Sequence, residues 1–147
     1  MKRICLLLII SLTAFGGFAQ KNHPVSWKID TVKIAPLTYE LKLKATINEP
    51  WHIYTQDASR AGMAMPTRII FEENNNVELI GATREKGIEK ENGETSSYYS
   101  KEVTFTQTLK LKSKEKTDLH LTIKYMVCTN QMCQPPSSKQ FSIILEE

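Results

Sequence analysis

Period-two alternation of apolar and polar residues runs through most of this chain and constrains its fold more than any other feature. Tyr39, Leu41, Leu43, Ala45 and Ile47 alternate with Glu40, Lys42, Lys44 and Thr46. Successive side chains on a strand point to opposite faces, so this pattern describes a strand with one buried face. Val25, Trp27 and Ile29 follow the same rule. Val103, Phe105, Leu109 and Leu111 share a face opposite Thr104, Thr106, Lys110 and Lys112. Leu119, Leu121, Ile123, Tyr125 and Val127 repeat the pattern, and Phe141, Ile143 and Leu145 complete it. Shorter candidates are Trp51 to Thr55, Thr67 to Glu72 and Val77 to Ala82. No long window carries the 3.6-residue period of an amphipathic helix. The expectation is an all-β chain of about eight strands. Uneven strand lengths and long connections favour an antiparallel β-sandwich over a closed barrel.

Three connections separate these strands: Gln56 to Pro66, with Gly62 and two methionines; the charged stretch Glu85 to Ser97 around Asn92-Gly93; and the polar turn Ser113 to Asp118. Lys110, Lys112, Lys114 and Lys116 recur every second residue, which places the first two on the solvent face of a strand and makes the series a solvated surface. With 41% hydrophobic positions in 147 residues the chain has enough apolar material for one domain with a true core.

The start of the chain has a different character. Met1-Lys2-Arg3 precedes an apolar run from Ile4 to Phe18, and Gly17 and Ala19 are the small residues expected at positions minus three and minus one of a cleavage site. A transmembrane anchor is the rival reading, but a run of roughly 15 residues falls short of the roughly 20 needed to span a bilayer. Residues 1–19 are therefore read as a signal peptide cleaved after Ala19, and residues 20–147 as the mature domain. Cys5 sits too early for a lipoprotein signal and leaves with the peptide. So do Lys2 and Arg3, leaving 17 basic against 16 acidic residues, a balance that argues against nucleic acid as a partner. The short signal with its two-residue basic start points to the periplasm, with no membrane insertion of the mature chain.

Two cysteines remain, Cys128 and Cys133, in the segment Tyr125-Met-Val-Cys128-Thr-Asn-Gln-Met-Cys133-Gln-Pro-Pro136. A well-patterned strand delivers Cys128 at its end, and Cys133 precedes two prolines, so the thiols sit at the neck of a hairpin. An oxidising compartment favours their pairing. As a staple the bridge would do little: the chain-entropy model gives about 2 kcal/mol for so small a loop against about 4.7 for a loop of 100 residues. A small-loop pair at a hairpin end is placed more like a reactive couple, because exchange needs a thiolate to approach one sulfur in line. Residue chemistry leaves three readings open: redox exchange, a local staple and a metal site.

That cysteine segment, preceded about 75 residues earlier by Trp51-His52-Ile-Tyr54-Thr, resembles the N-terminal periplasmic domain of the thiol:disulfide interchange protein DsbD. The likeness takes in the alternating strands, Pro66-Thr67, Tyr98-Tyr99 ahead of Val103, and the strand Phe141 to Leu145; the cysteine pair followed by x-Pro-Pro is its most specific feature. The resemblance implies an immunoglobulin-like sandwich that accepts electrons from a thioredoxin-like domain and passes them to oxidised periplasmic thioredoxin-like proteins, with no cofactor and no metal. It assigns Cys133 as the sulfur joined to partners and Cys128 as its resolving companion. It sets His52 and Tyr54 beside the pair, although ordinary strand packing also accounts for Trp51, His52 and Tyr54. It further implies a shielding cap loop over Lys90 to Tyr99, where Asn92-Gly93-Glu94-Thr95 offers no aromatic residue and Tyr98 or Tyr99 would stand in. Two departures stand out. Four residues separate the cysteines, where well-known members have five, and no membrane segment or thioredoxin-like domain follows. The expectation is a freestanding version supplied by a membrane electron transporter on a separate chain.

Two other classes compete. A copper-binding protein would draw on Cys128, Cys133, Met63, Met65, Met126 and Met132 as soft ligands, yet Met126 alternates with the inward Tyr125 and Val127, and loop methionines often serve as packing filler. A non-catalytic immunoglobulin-like interaction module would use the disulfide structurally. Hydrolase readings lack support, since neither Gly-x-Ser-x-Gly nor His-Glu-x-x-His occurs.

Overall fold

The computed structural model describes residues 23–58, 65–91 and 97–146. The expected signal peptide, Met63 and the Asn92 to Thr95 part of the expected cap lie outside the described residues. The strands are β1 (Val25–Ala35), β2 (Thr38–Ile47), β3 (His52–Tyr54), β4 (Arg68–Phe71), β5 (Val77–Glu91), β6 (Ser97–Leu111), β7 (Thr117–Tyr125), β8 (Val127–Cys128) and β9 (Ser137–Leu145). Every pairing is antiparallel. One sheet of six strands runs β1-β2-β6-β3-β8 with β5 on the other side of β6; a three-stranded sheet runs β4-β7-β9. The expected all-β sandwich is the observed fold, and its immunoglobulin-like character follows from the solved structures compared below.

The alternating positions found in the sequence are those that fill the space between the sheets. Leu41, Leu43, Phe105 and Leu109 from the larger sheet meet Leu119, Leu121, Ile123 and Tyr125 from the smaller in one cluster of fully buried side chains. Burial of each such side chain contributes about 1.5–3 kcal/mol, so the period-two pattern is also the pattern of stabilisation. The Tyr39 hydroxyl donates to the Glu146 carbonyl at 2.7 Å, fastening β2 to the end of β9.

Two expectations need correction. The charged stretch from Glu85 to Ser97 is not simply a connection: β5 continues to Glu91, pairing Lys90 with Tyr98 and Glu91 with Ser97. An edge strand can be charged and largely exposed, so this arm carries no apolar alternation. Its path is irregular, with register shifts between Ile80 and Arg84 and between Gly87 and Glu89. At the first, Gly81 takes φ +70°, the left-handed region that suits glycine, and the buried Gln107 amide donates to the Ile80 and Gly81 carbonyls at 3.2 and 3.3 Å. The Thr83 hydroxyl donates to the Gln107 carbonyl oxygen at 2.8 Å. Gln107 lies on the otherwise apolar face of β6 because the irregular stretch of β5 needs its hydrogen bonds.

The second correction concerns the run Leu119 to Val127, expected as one strand. It breaks at Met126: Tyr125 pairs with Ser137 in the smaller sheet, whereas Val127 pairs with Ile53 in the larger. The chain changes sheets immediately before the first cysteine.

Candidate functional site

Strand β3 holds the site together although it has three residues. On one side Ile53 faces Tyr99 and Tyr54 faces Tyr98 across to β6; on the other His52 faces Cys128 and Ile53 faces Val127 across to β8. Alternation then sorts the side chains. Ile53, Tyr99 and Val127 point into the main core. His52, Tyr54, Tyr98 and Cys128 occupy the opposite face of the sheet. The exit from β3 is pinned by the Thr67 hydroxyl donating to the Tyr54 carbonyl at 2.6 Å and by the Thr55 amide donating to the Ser97 carbonyl at 3.1 Å. The Gln56 amide donates to the Glu85 carboxylate at 3.2 Å, tying the same segment to β5.

Cys128 and Cys133 are joined by a disulfide, with their Cα atoms 4.0 Å apart as direct cross-strand neighbours. The turn between them carries its own hydrogen bonds. The Thr129 amide donates to the Met132 carbonyl at 2.7 Å and the Gln134 amide to the Val127 carbonyl at 2.8 Å. The Thr129 hydroxyl accepts from the amides of Gln131 and Met132 at 3.2 and 3.1 Å. The two ends of the bond differ sharply. Cys128 is 0% exposed, in a small cluster with Tyr54, Ala58, Tyr98 and Met126, whereas Cys133 is exposed beside Met132 and the exposed Pro135 and Pro136.

His52 is 3% exposed. Its ring lies 4.3 Å from that of Tyr98 and 5.4 Å, edge-on, from that of Tyr54. Its Nε2 is buried and finds no hydrogen-bond partner among the described residues. Burial holds the imidazole below its ordinary value of 6.5, because desolvation disfavours the cation. Burial raises the Tyr54 phenol, and the neighbouring Tyr98 raises it further, so Tyr54 stays neutral near pH 7.

Of the side chains singled out in the sequence, the structure brings together Cys128, Cys133, His52, Tyr54 and Tyr98. It separates Tyr99, which is 3% exposed in the main core. Consecutive strand residues face opposite ways, so only one of the two tyrosines can attend the cysteines, and the β3–β6 register selects Tyr98. Met126 faces away from the main core, as the alternation required, and thereby joins the cluster around Cys128. Ala58 was not singled out in the sequence; a small residue in a connecting segment gives no signal. Among the described residues no three His, Cys, Asp or Glu side chains cluster as metal ligands, and Met132 is exposed to solvent.

This arrangement makes the disulfide asymmetric: Cys128 is covered and Cys133 is exposed, and exchange at a disulfide needs an in-line approach to one of its sulfurs.

The family model described as the thiol:disulfide interchange protein DsbD, N-terminal, matches residues 24–145. The N-terminal domain of Neisseria meningitidis DsbD in its reduced form superposes with a TM-score of 0.51 at 15% identity, covering 81% of this chain and 86% of that one. The N-terminal periplasmic domain of ScsB from Proteus mirabilis gives 0.55 at 16% identity, covering 86% of this chain, which spans about half (48%) of that one. The complex between the DsbD and PilB N-terminal domains of N. meningitidis gives 0.52 at 14% identity, covering 80% of each chain. No curated protein matches the sequence. At these identities the solved structures establish the fold alone, and the match of the family model over nearly all the described chain makes this protein a member of the DsbD N-terminal domain family.

Proposed function

We propose that this domain carries out thiol:disulfide exchange in the periplasm, passing electrons through the Cys128/Cys133 pair from a thioredoxin-like donor domain to oxidised thioredoxin-like proteins. The observation that carries the reading is the asymmetry of the pair: one sulfur fully covered, its partner exposed on a self-supporting turn. In the reduced domain the Cys133 thiolate attacks a partner disulfide, one partner sulfur leaves as a thiolate, and a mixed disulfide forms. Cys128 then loses its proton and attacks the Cys133 sulfur, which restores the internal disulfide and releases the second partner thiolate. Two electrons have moved to the partner. The pair itself is the electron carrier, so no cofactor or metal takes part.

A solved neighbour joins a DsbD N-terminal domain to the N-terminal domain of PilB, which supports a protein as the partner. The periplasmic domain of ScsB supports the compartment, as does the N-terminal sequence pattern, which we assign to a signal peptide removed after Ala19. Among the described residues no helix is long and apolar enough to cross a membrane. We further propose a membrane electron transporter as the source of the electrons.

The roles of the sulfurs give the test. Cys128→Ala leaves the exposed thiol without a companion to resolve it, so it accumulates a mixed disulfide with a thioredoxin-like protein on non-reducing gels. Cys133→Ala, with only a covered thiol, accumulates little. Equal trapping by both variants removes the assignment of roles. Trapping by neither, together with a midpoint potential well below about −300 mV, makes the bond an inert structural one.

A further inference from the structure

We propose that His52 is the group that takes the proton from the Cys128 sulfur when that sulfur attacks, and returns it when that sulfur leaves. The proposal rests on the exchange reaction above and adds to it a residue that neither the cysteine motif nor its neighbours in sequence supply: between Tyr125 and Ser138 there is no Lys, Arg or His.

Three observations carry it. First, His52 is the direct cross-strand partner of Cys128 in the β3–β8 ladder, and directly opposed residues have Cβ atoms only about 4.5–5.5 Å apart on the same face. Secondly, Cys128 is 0% exposed, so its thiol cannot hand a proton straight to bulk water, and the thiolate is the form that reacts. Thirdly, His52 is 3% exposed and its Nε2 is an unpartnered polar atom in the same covered patch. A buried nitrogen without a partner is costly, because it has given up its bond to water and gained none in return. In the oxidised protein Cys128 has no hydrogen to donate, and reduction creates an S–H on the residue directly opposite His52 in the ladder.

Among the described residues, the tyrosines beside the ring do not compete for the role. Tyr54 on β3 and Tyr98 on β6 flank the ring, and the raised phenol of Tyr54 is no base near neutrality. Lys90 holds the register position opposite Tyr98, one strand further out on β5. Because burial lowers the imidazole, most molecules hold it neutral at pH 7 and ready to accept.

The step balances as follows. In the mixed disulfide, the Cys128 S–H gives its proton to Nε2 as its sulfur attacks the Cys133 sulfur. The Cys128–Cys133 bond forms, the bond from Cys133 to the partner breaks, and the partner leaves as a thiolate. The imidazolium then releases its proton to that thiolate or to solvent. In reduction the transfers reverse: Nε2 first takes a proton from the attacking partner thiol or from solvent, and gives it to Cys128 as that sulfur is expelled.

The experiment uses the reduced full-length mature domain and an aryl disulfide, dithiobis(nitrobenzoate), in stopped flow. Each domain releases two aryl thiolates: one when Cys133 attacks, one when Cys128 resolves. Cys128→Ala marks the first phase by giving it alone. His52→Phe keeps a ring against Tyr98 without a proton acceptor, and His52→Gln keeps a hydrogen-bonding nitrogen that does not titrate. Both variants are expected to slow the second phase at pH 7 by at least about tenfold, to leave the first within about twofold, and to lose the inflection below pH 6.5 that the imidazole gives to the second phase. Second-phase rates and pH profiles like those of the parent overturn the proposal, as does equal slowing of both phases, which marks a packing role only. A parent domain that releases no aryl thiolate overturns the exchange reading itself, an outcome distinct from the other two.

Discussion

Reducing the Cys128–Cys133 bond should leave the domain folded, with a modest and calculable loss of stability. The cysteines are five positions apart in sequence, so reduction frees a loop of about six residues, and the chain-entropy model assigns that constraint about 2 kcal/mol. A domain of this size loses about 4 °C of melting temperature per kcal/mol, so the expected drop is about 8 °C. Two features of the structure make this an upper estimate. The turn retains its own bonds, from Thr129 to Met132 and from Gln134 to Val127, whether or not the sulfurs are joined. The core of Leu41, Phe105, Leu121 and Tyr125 makes no use of the bridge. Thermal unfolding followed by circular dichroism, in oxidised protein and in protein kept reduced with dithiothreitol, measures the difference. A drop beyond about 20 °C, or loss of the cooperative transition, would refute the argument by showing that the bond is a strut.

Other perturbations test the scaffold around the site. Gly87→Ala would place a Cβ 2.7 Å from the Glu102 carbonyl oxygen and 2.8 Å from the Tyr99 ring, so denaturant melts should show a loss of about 1–3 kcal/mol from overpacking. Gln107→Leu removes the donors to Ile80 and Gly81 and the acceptor for Thr83; equilibrium unfolding should register about 1–3 kcal/mol. The lowered imidazole of His52 means that the unfolded chain binds a proton more readily than the folded one. Its contribution to stability is therefore complete above pH 6.5 and is lost as the pH falls through that value. The melting temperature should fall between pH 7 and pH 5, and His52→Phe should lessen that fall.

How far the fold could be read from sequence depends on whether each strand has a buried face. Tyr39 to Ile47 and Leu119 to Tyr125 have one and were legible residue by residue. From Ala82 to Gly87 β5 has none: it is held by its backbone ladder to β6, and a ladder leaves no mark on side-chain periodicity. Gln107 breaks the alternation of β6 for a reason that lies in β5, where its amide donates to the Ile80 and Gly81 carbonyls at the register shift. The Tyr98–Tyr99 pair shows the same limit in the site. Both residues stood in the right place along the chain, and only the pairing with β3 turns Tyr98 toward His52 and Tyr99 into the core.

The unequal exposure of the two sulfurs was half legible, and the missing half explains how it arises. Alternation showed Cys128 ending a buried strand, but it also suggested one continuous strand, and a continuous strand would have left the pair at a hairpin tip. The chain instead crosses from the smaller sheet to the larger at Met126, so Val127 docks on Ile53 and Cys128 is set opposite His52. The return limb cannot follow it inward. Gln134 makes the last ladder bond, to Val127, and Pro135 and Pro136 have no N–H to extend the pairing. The next paired residue, Ser137, already belongs to the smaller sheet, opposite Tyr125. Cys133 thus lies at the outer edge of the larger sheet, bridged to Cys128 on one side and, among the described residues, with no strand on the other to cover it. In the exchange proposed above the sulfur that meets the partner is the exposed one and the resolving sulfur is the covered one, and two prolines together with one sheet crossing produce both conditions.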